Sequence, residues 1–492
     1  MIKKRLNTVL FTLITALLLL PFFQGQTSWF SLRPLHGHIP AVNNPSWSWK
    51  KWVNEDFQRE VQSFTTASVG FRPLLIRINN QLDFSLFKIP HANEVVIGKE
   101  NYLYENNYIK DYTGTAFTGE EIADERLAKI RLLQDLFKQK NIDLLVVFSP
   151  GKASFFPEYI PERFHPEKRT MSNYLYFSGR CKETGVNTLD FNQYFLLMKD
   201  TATWPLYPKC GIHWSAYGMA LCADSLFSYI EKTRKIIMPD FGWNGLDTPD
   251  TLRDTDNDVC EGMNLLYNIK TPKGAYPRYY FNDRPGMTKP DVLVIADSFY
   301  WTIFGNGLSN RMFNKSSFWF YFEMAYSNAF SDVEVKTLDI RKEIESHQVI
   351  ILMSSESNLF KFPFGFLEKV YPLYFPQDEE QQLQSFIKLI QWDKGWFTEV
   401  KKQAEQDKTD LTRAIESEAR ITLAYRDSVE ITEKDYQRII TAIKNDKNWM
   451  EQEKKKSREK NINLDQLLRD DAQWIFYNQS KNYRKKYWPS PQ

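Results

Sequence analysis

Two short stretches hold residue types that can do chemistry together: Gly-Ile-His-Trp-Ser at 211–215 and Ala-Asp-Ser-Phe-Tyr at 296–300. A serine hydroxyl needs a general base to attack a carbonyl at neutral pH, and histidine is the commonest such base. Ser298 and His213 are therefore a candidate dyad for acyl transfer. Other elements must place them. Asp291-Val-Leu-Val-Ile295 has the length and β-branched content of a buried strand. Ser298 then stands just past its carboxyl end, where open α/β sheets present ligands. Ser215 is the expected N-cap of a helix from Ala216 to about Glu231, which leaves His213 on the loop before it. Asp297 is expected to bond backbone beside the serine's turn. Plainer roles exist: Ser298 as a cap for the helix after it, His213 as a loop histidine packed on Trp214.

The rest of the chain supplies a scaffold for such a site. Apolar runs at Ile142–Phe148, Val186–Leu189, Val333–Leu338 and His347–Met353 read as strands. Between them lie helical patterns at about Glu120–Lys140, with Leu127, Ile130, Leu133 and Phe137 on one face, and at Met171–Glu183. Strands alternating with helices imply right-handed crossovers and a mainly parallel sheet covered by helices, placed at 100–375. Glu94–Gly98 and Tyr102–Tyr104 read as a hairpin. Asp240–Gly286, rich in Asp, Asn, Gly and Pro, is expected to be mostly loop.

Flanking this domain are segments of different character. Lys3, Lys4 and Arg5 precede an apolar stretch, Val9–Phe23, that runs on to Trp29-Phe30 with no charge between Leu6 and Leu32. That window approaches the roughly 20 apolar residues of a membrane span. The bulky or polar Phe22-Phe23-Gln24 offers no small-residue cleavage site, so 1–30 is expected to be an uncleaved, single-pass signal anchor. The basic residues then stay cytoplasmic and the rest of the chain lies outside. Residues 31–99 read as a Pro- and Trp-rich membrane-proximal linker (Pro40, Pro45, Trp47, Trp49, Trp52) followed by helices. Residues 376–492 read as a helical extension, with an apolar stripe at Leu464, Leu467, Leu468, Ala472 and Ile475. Its basic patches, Lys454–Lys460 and Arg484–Lys486, read as solvated faces or as contacts to acidic polysaccharide or lipid headgroups.

Charge and cysteines narrow the function classes. Sixty-three basic and 61 acidic residues leave a formal charge of +2, so no global field points to nucleic acid. Cys181, Cys210, Cys222 and Cys260 would lie where disulfides are allowed, in any of three pairings. A bridge at Cys210 would fix the His213 loop, and Cys222 is equally suited to be a buried thiol. Without a C-x-x-C pair, neither zinc nor another metal nor a redox cofactor is expected.

Four features in fixed order make the chain resemble the AlgJ/AlgX-like polysaccharide O-acetyltransferases, which carry an SGNH-hydrolase-like domain. They are Val96-Ile-Gly-Lys-Glu-Asn-Tyr-Leu-Tyr104; Ser149-Pro-Gly-Lys152 with Phe156-Pro-Glu-Tyr-Ile-Pro161; His213-Trp214 with Ser215 and Gly218; and Asp297-Ser298-Phe299. The match spans roughly 50–375. The resemblance implies a three-layer α/β domain with an N-terminal transmembrane helix and a helical C-terminal extension. It further implies an enzyme of the inner membrane with its bulk in the periplasm, moving acetyl to a polysaccharide hydroxyl through Ser298 and His213. A membrane-bound O-acyltransferase would supply the acetyl. Lys152, Tyr300, Trp301 and Tyr321 are the substrate-binding candidates. In one place the chain departs from the pattern: the family's Asp-x-His-Trp reads Gly211-Ile-His-Trp214. The carboxylate that orients the imidazole must come from elsewhere, with Asp190 or a backbone carbonyl as candidates. Alternatively the protein is a carbohydrate acetyl esterase, or a non-catalytic scaffold that binds the polysaccharide.

Overall fold

The computed structural model describes residues 2–27, 31–37, 42–164, 169–375, 379–392, 394–406 and 408–419, and shorter stretches between 437 and 472. Met1–Leu373 forms one compact unit and Tyr374–Gln492 another. In chain order the strands of the first unit are β1 (Val95–Ile97), β2 (Leu103–Glu105), β3 (Asp143–Ser149), β4 (Thr188–Asp190), β5 (Asp240–Asp247), β6 (Tyr276–Asn282), β7 (Val292–Ala296), β8 (Ser316–Phe320), β9 (Met324–Ser327), β10 (Val333–Glu334) and β11 (Val349–Ser355).

Seven of these strands build the central sheet, in the order β10-β9-β8-β7-β11-β3-β4. The run from β8 to β4 is parallel, and β9 and β10 add an antiparallel edge. β3, β7 and β11 are buried at every residue, as strands covered on both faces must be. Leu145, Val147, Val292, Val294, Ile351 and Met353 share one core with Met219, Cys222, Ala223 and Leu226 of the helix Ala216–Arg234. The alternate residues Leu144, Val146, Leu293, Ile295, Ile350 and Leu352 are buried just as fully, so helices cover the other face too. Each large side chain so buried contributes about 1.5–3 kcal/mol. The helix Glu120–Gln139 buries Leu127, Ile130, Leu133 and Phe137, the stripe that its spacing predicts.

Register sets the level at which the strands end. Met353 pairs with both Ala296 and Val147, so the carboxyl ends of β7, β11 and β3 emerge side by side. Asp297-Ser298, Ser355-Glu356-Ser357-Asn358 and Pro150-Gly151-Lys152 therefore leave the sheet at one edge.

The second half differs from expectation in three places. Asp240–Gly286 is not loop throughout, because it contains the antiparallel pair β5–β6 with a bulge between Trp243 and Leu246. The strand expected at Val333–Leu338 is two residues long and then tightens into a 3-10 turn, Val335–Thr337. β8 and β9, with no counterpart in the sequence reading, complete the sheet on that side.

At the N-terminus the helix Ile2–Thr27 contains a 21-residue apolar stretch, Arg5–Gly25, with mean hydropathy 2.1. It is long and apolar enough to cross a membrane, as a signal sequence also is. Its end is tied down: Gly70 N–H donates to the Pro21 carbonyl at 3.0 Å, and Phe71 N–H to Gln24 Oε1 at 3.0 Å. A Cβ on Gly70 would fall 2.1 Å from that carbonyl, so only glycine allows the approach. Trp29, Phe30 and Pro40 lie outside the described residues. Helices Trp49–Val53, Asp56–Ser68 and Arg72–Leu82 follow.

The second unit is helical where described, with helices Glu379–Trp392, Lys394–Gln406 and Lys447–Lys460. Leu383, Ile390, Val400, Ile415 and Ala419 form one small core. Ile440, Ile443, Leu468 and Ala472, joined by Leu464, form another. Leu467 is buried as well. Ile475 and the patch Arg484–Lys486 lie outside the described residues.

Candidate functional site

At the edge where β7 ends, Ser298 opens a 3-10 turn, Ser298–Tyr300, that leads into the helix Trp301–Gly305. Asp297, fully buried, holds this turn to the neighbouring strand. Its Oδ1 accepts the Phe299 N–H at 3.1 Å. Its Oδ2 accepts the Ser355 N–H at 2.8 Å, the Ser355 hydroxyl at 2.6 Å and Asn358 Nδ2 at 2.9 Å. Asp297 is thus a clamp between β7 and β11, and Ser298 beside it stays partly exposed.

His213 meets it from the loop before the helix Ala216–Arg234. His213 Nε2 lies 2.9 Å from Ser298 Oγ. Ser215 caps that helix, its Oγ accepting the Gly218 N–H at 2.9 Å. A Cβ at 218 would sit 2.6 Å from the Leu206 carbonyl, which explains the glycine. Trp214 Nε1 donates to Thr302 Oγ1 at 2.7 Å and the His213 ring packs on Phe299 at 4.9 Å, so the histidine loop rests on the serine's own helix.

The remaining motif residues wall this loop. Lys152 is completely buried, and its ammonium donates to the carbonyls of Gly211 at 2.6 Å and Lys209 at 3.0 Å. Burial pulls its pKa down to about 7. The hairpin β1–β2 supports the same segment: Leu103 N–H donates to the Lys209 carbonyl at 3.2 Å, and the Tyr104 ring lies under the Lys152 ammonium. Tyr207 joins the loop to the Pro150 carbonyl through its hydroxyl, at 2.8 Å. Cys210 is bridged to Cys260, while Cys181 and Cys222 are free and buried.

Several expected site residues go elsewhere. Lys152 offers nothing to a sugar, because its charge is spent inside on two carbonyls. Tyr300 is core, 1% exposed, with its hydroxyl on Ser309 Oγ at 2.9 Å. Trp301 packs into an aromatic cluster, its ring 5.0 Å from Phe318 and 4.6 Å from Tyr326. Tyr321 does face the serine, and its hydroxyl accepts Asn358 Nδ2–H at 3.4 Å. Burial pushes the Tyr321 phenol up to about 12, so it keeps its proton as a donor. Asp190 does not serve His213; its carboxylate accepts the Tyr174 hydroxyl at 3.0 Å and caps Gln193 N–H at 2.9 Å.

The acid that faces the imidazole is one that motif reading passes over. Asp258 Oδ2 stands 3.5 Å from His213 Nδ1, and among the described residues no hydrogen bond reaches that nitrogen. Glu105, its pKa raised by burial, faces the same ring. Asp258 sits in the stretch expected to be loop, two residues from Cys260. The Cys210–Cys260 pairing, one of the possibilities left open by sequence, was the signal for it. A polarisable serine, a base, donors beside them and a facing carboxylate are the parts of an acyl-transfer site.

Residues 95–239 match the family described as SGNH hydrolase-like domain, acetyltransferase AlgX. Over 180 residues the chain is 24% identical to the probable alginate O-acetylase AlgJ of Pseudomonas putida, a match covering 37% of this chain. The chain spans 45% of that relative's length. Among solved structures it is similar to the O-acetyltransferase domain of P. putida AlgJ, with 15% identity and TM-score 0.37 over 54% of this chain and 92% of that one. It is also similar to Pseudomonas aeruginosa AlgX, with 14% identity and TM-score 0.37 over 56% of this chain and 67% of that one.

Proposed function

We propose that the protein, whose residues 95–239 match the family described as SGNH hydrolase-like domain, acetyltransferase AlgX, O-acetylates a cell-envelope polysaccharide through Ser298 and His213. The observation that carries this reading is the 2.9 Å contact between His213 Nε2 and Ser298 Oγ at the carboxyl edge of the sheet. His213 takes the serine proton as Ser298 Oγ attacks the carbonyl carbon of an acetyl donor. The oxyanion is met by the Ser298 N–H and the Tyr321 hydroxyl. Collapse expels the donor's leaving group, which receives the proton from His213, and leaves an acetyl-serine. A sugar hydroxyl then gives its proton to His213 as it attacks the acetyl carbonyl, and the acetyl–Oγ bond breaks with His213 returning that proton to Ser298 Oγ. The acceptor class rests on the relative named for alginate.

On this reading the helix Ile2–Thr27 anchors the chain in the inner membrane, with Lys3, Lys4 and Arg5 on the cytoplasmic side and the catalytic domain in the periplasm. The Cys210–Cys260 bridge supports an oxidising compartment. A membrane-bound O-acyltransferase is the proposed source of acetyl groups.

The test uses the full chain in detergent, with para-nitrophenyl acetate as donor and alginate oligosaccharides as acceptor, read by mass spectrometry. Acetylated oligosaccharide that disappears in Ser298→Ala supports the proposal. Release of free acetate alone, equally dependent on Ser298, makes the protein an acetyl esterase. No Ser298-dependent product of either kind would leave a polysaccharide-binding scaffold.

A further inference from the structure

The position before His213 that a carboxylate would need is closed by packing. A Cβ on Gly211 would lie 2.1 Å from the Thr255 carbonyl oxygen, 3.0 Å from Pro208 and 3.2 Å from the Asp256 carbonyl carbon. The obstruction is backbone, which cannot swing away as a side chain could. The segment that fills this space, Asp254–Asp256, runs straight into the helix Asp258–Gly262. We propose that Asp258 is the positioning residue for His213, a carboxylate delivered from across the loop by the Cys210–Cys260 bridge. The inference rests on the acyl-transfer reading above.

The geometry is specific. Val259 and Cys260 donate their N–H groups to the Cys210 carbonyl at 3.1 and 3.2 Å, and the disulfide closes the same junction with Cα atoms 5.1 Å apart. Asp258 is therefore two residues from a covalent tie whose other end is three residues before His213. One carboxylate oxygen, Oδ1, is held by the Val259 N–H at 2.7 Å. The other, Oδ2, faces Nδ1 at 3.5 Å, and that nitrogen is buried without a bonded partner among the described residues. A shift of well under 1 Å brings the pair to ordinary hydrogen-bond length, a tightening that substrate-free sites commonly still have to make. A proton on Nδ1 shared with Asp258 leaves the Nε2 lone pair for the Ser298 hydroxyl, the tautomer that a general base needs. Around the pair, Glu105 faces both groups and the Lys152 ammonium acts on Asp258 from beneath the loop. The Lys152 bonds to Gly211 and Lys209 hold the loop's backbone against the bridged segment.

The experiment measures para-nitrophenyl acetate turnover and the 15N shifts of the His213 ring in the full chain, for the parent, Asp258→Asn, Asp258→Glu, Ser298→Ala and the Cys210→Ser/Cys260→Ser pair. Asp258→Asn is expected to lower kcat by about 10²–10⁴-fold with KM nearly unchanged, by analogy with the loss of the orienting acid in the serine-protease template. Asp258→Glu should recover part of that loss. The parent ring should carry its proton on Nδ1, and Asp258→Asn should move the population toward Nε2–H. Removing the bridge should lower kcat in the parent but add little in Asp258→Asn, since both act through one carboxylate. An Asp258→Asn enzyme within about two-fold of parent kcat overturns the proposal, by that same template. An unchanged tautomer overturns it whatever the rate. If the parent is no more active than Ser298→Ala, the acyl-transfer reading fails, and the tautomer alone then decides for or against Asp258.

Discussion

The serine's turn grows directly out of β7, whereas the histidine's loop is assembled from chain drawn together from several places. On the serine side, a fully buried strand leads into Asp297, which accepts one hydrogen bond from its own turn and three from Ser355 and Asn358 at the end of β11. On the histidine side, the loop is held by a lysine after β3, a hairpin at 95–105, and a disulfide to residue 260. The first kind of support comes with the sheet itself. The second is added to it and can be taken apart separately. The bridge closes a loop of 50 residues, which in the chain-entropy account stabilises the fold by on the order of 4 kcal/mol.

Breaking the serine side should cost the fold. Asp297→Ala takes the carboxylate from three buried donors, the Phe299 N–H and the Ser355 N–H and hydroxyl, each worth about 1–3 kcal/mol when left unpaired, so a loss of roughly 3 kcal/mol or more is expected in denaturant unfolding. A variant as stable as the parent would mean that the clamp is incidental. Breaking the histidine side should cost the rate first. Lys152→Met frees the Gly211 and Lys209 carbonyls, and a displacement of the ring by about 1 Å is expected to lower kcat by about 10²-fold. The same variant carries a pH signature. Burial lowers Lys152 to about 7 from the ordinary 10.5, so between those values the unfolded chain binds one more proton than the folded one. Parent stability should therefore gain from this group as pH rises through that window, and Lys152→Met should lose that gain. Equal slopes in the two proteins would place the lysine's ammonium in solvent.

The same division decides what could be read from sequence. β3, β7 and β11 announce themselves as short β-branched runs, and the Ser215 cap fixes where the helix after His213 begins. Local signals single out Ser298 and His213, whose side chains the fold brings to 2.9 Å. β8 and β9 were missed because the turn between them passes through Tyr321 and Phe322 at φ 50° and 59°, left-handed conformations without the glycine or asparagine that marks such turns. Lys152 reads as a substrate-binding candidate because lysine seldom goes inside, and nothing local to Ser149–Lys152 reveals the two carbonyls waiting for it. Asp258 was invisible for a related reason: its value depends on a partner 45 residues earlier in the chain, and only the pairing of Cys210 with Cys260 links them. Tyr300 and Trp301 follow a candidate nucleophile and look like cleft aromatics, yet a turn and a helix after a buried strand point such residues back into the core.

On the proposed mechanism Ser298 is a nucleophile made reactive by His213. The most direct measurement is intact-protein mass spectrometry of the full chain after treatment with methanesulfonyl fluoride, followed by peptide mapping. The account predicts a single sulfonyl adduct on Ser298 in the parent, none in Ser298→Ala, and labelling slowed to a background rate in His213→Ala, because the two residues act as a unit. An unlabelled Ser298 in the parent, or labelling at the same rate without His213, would contradict it.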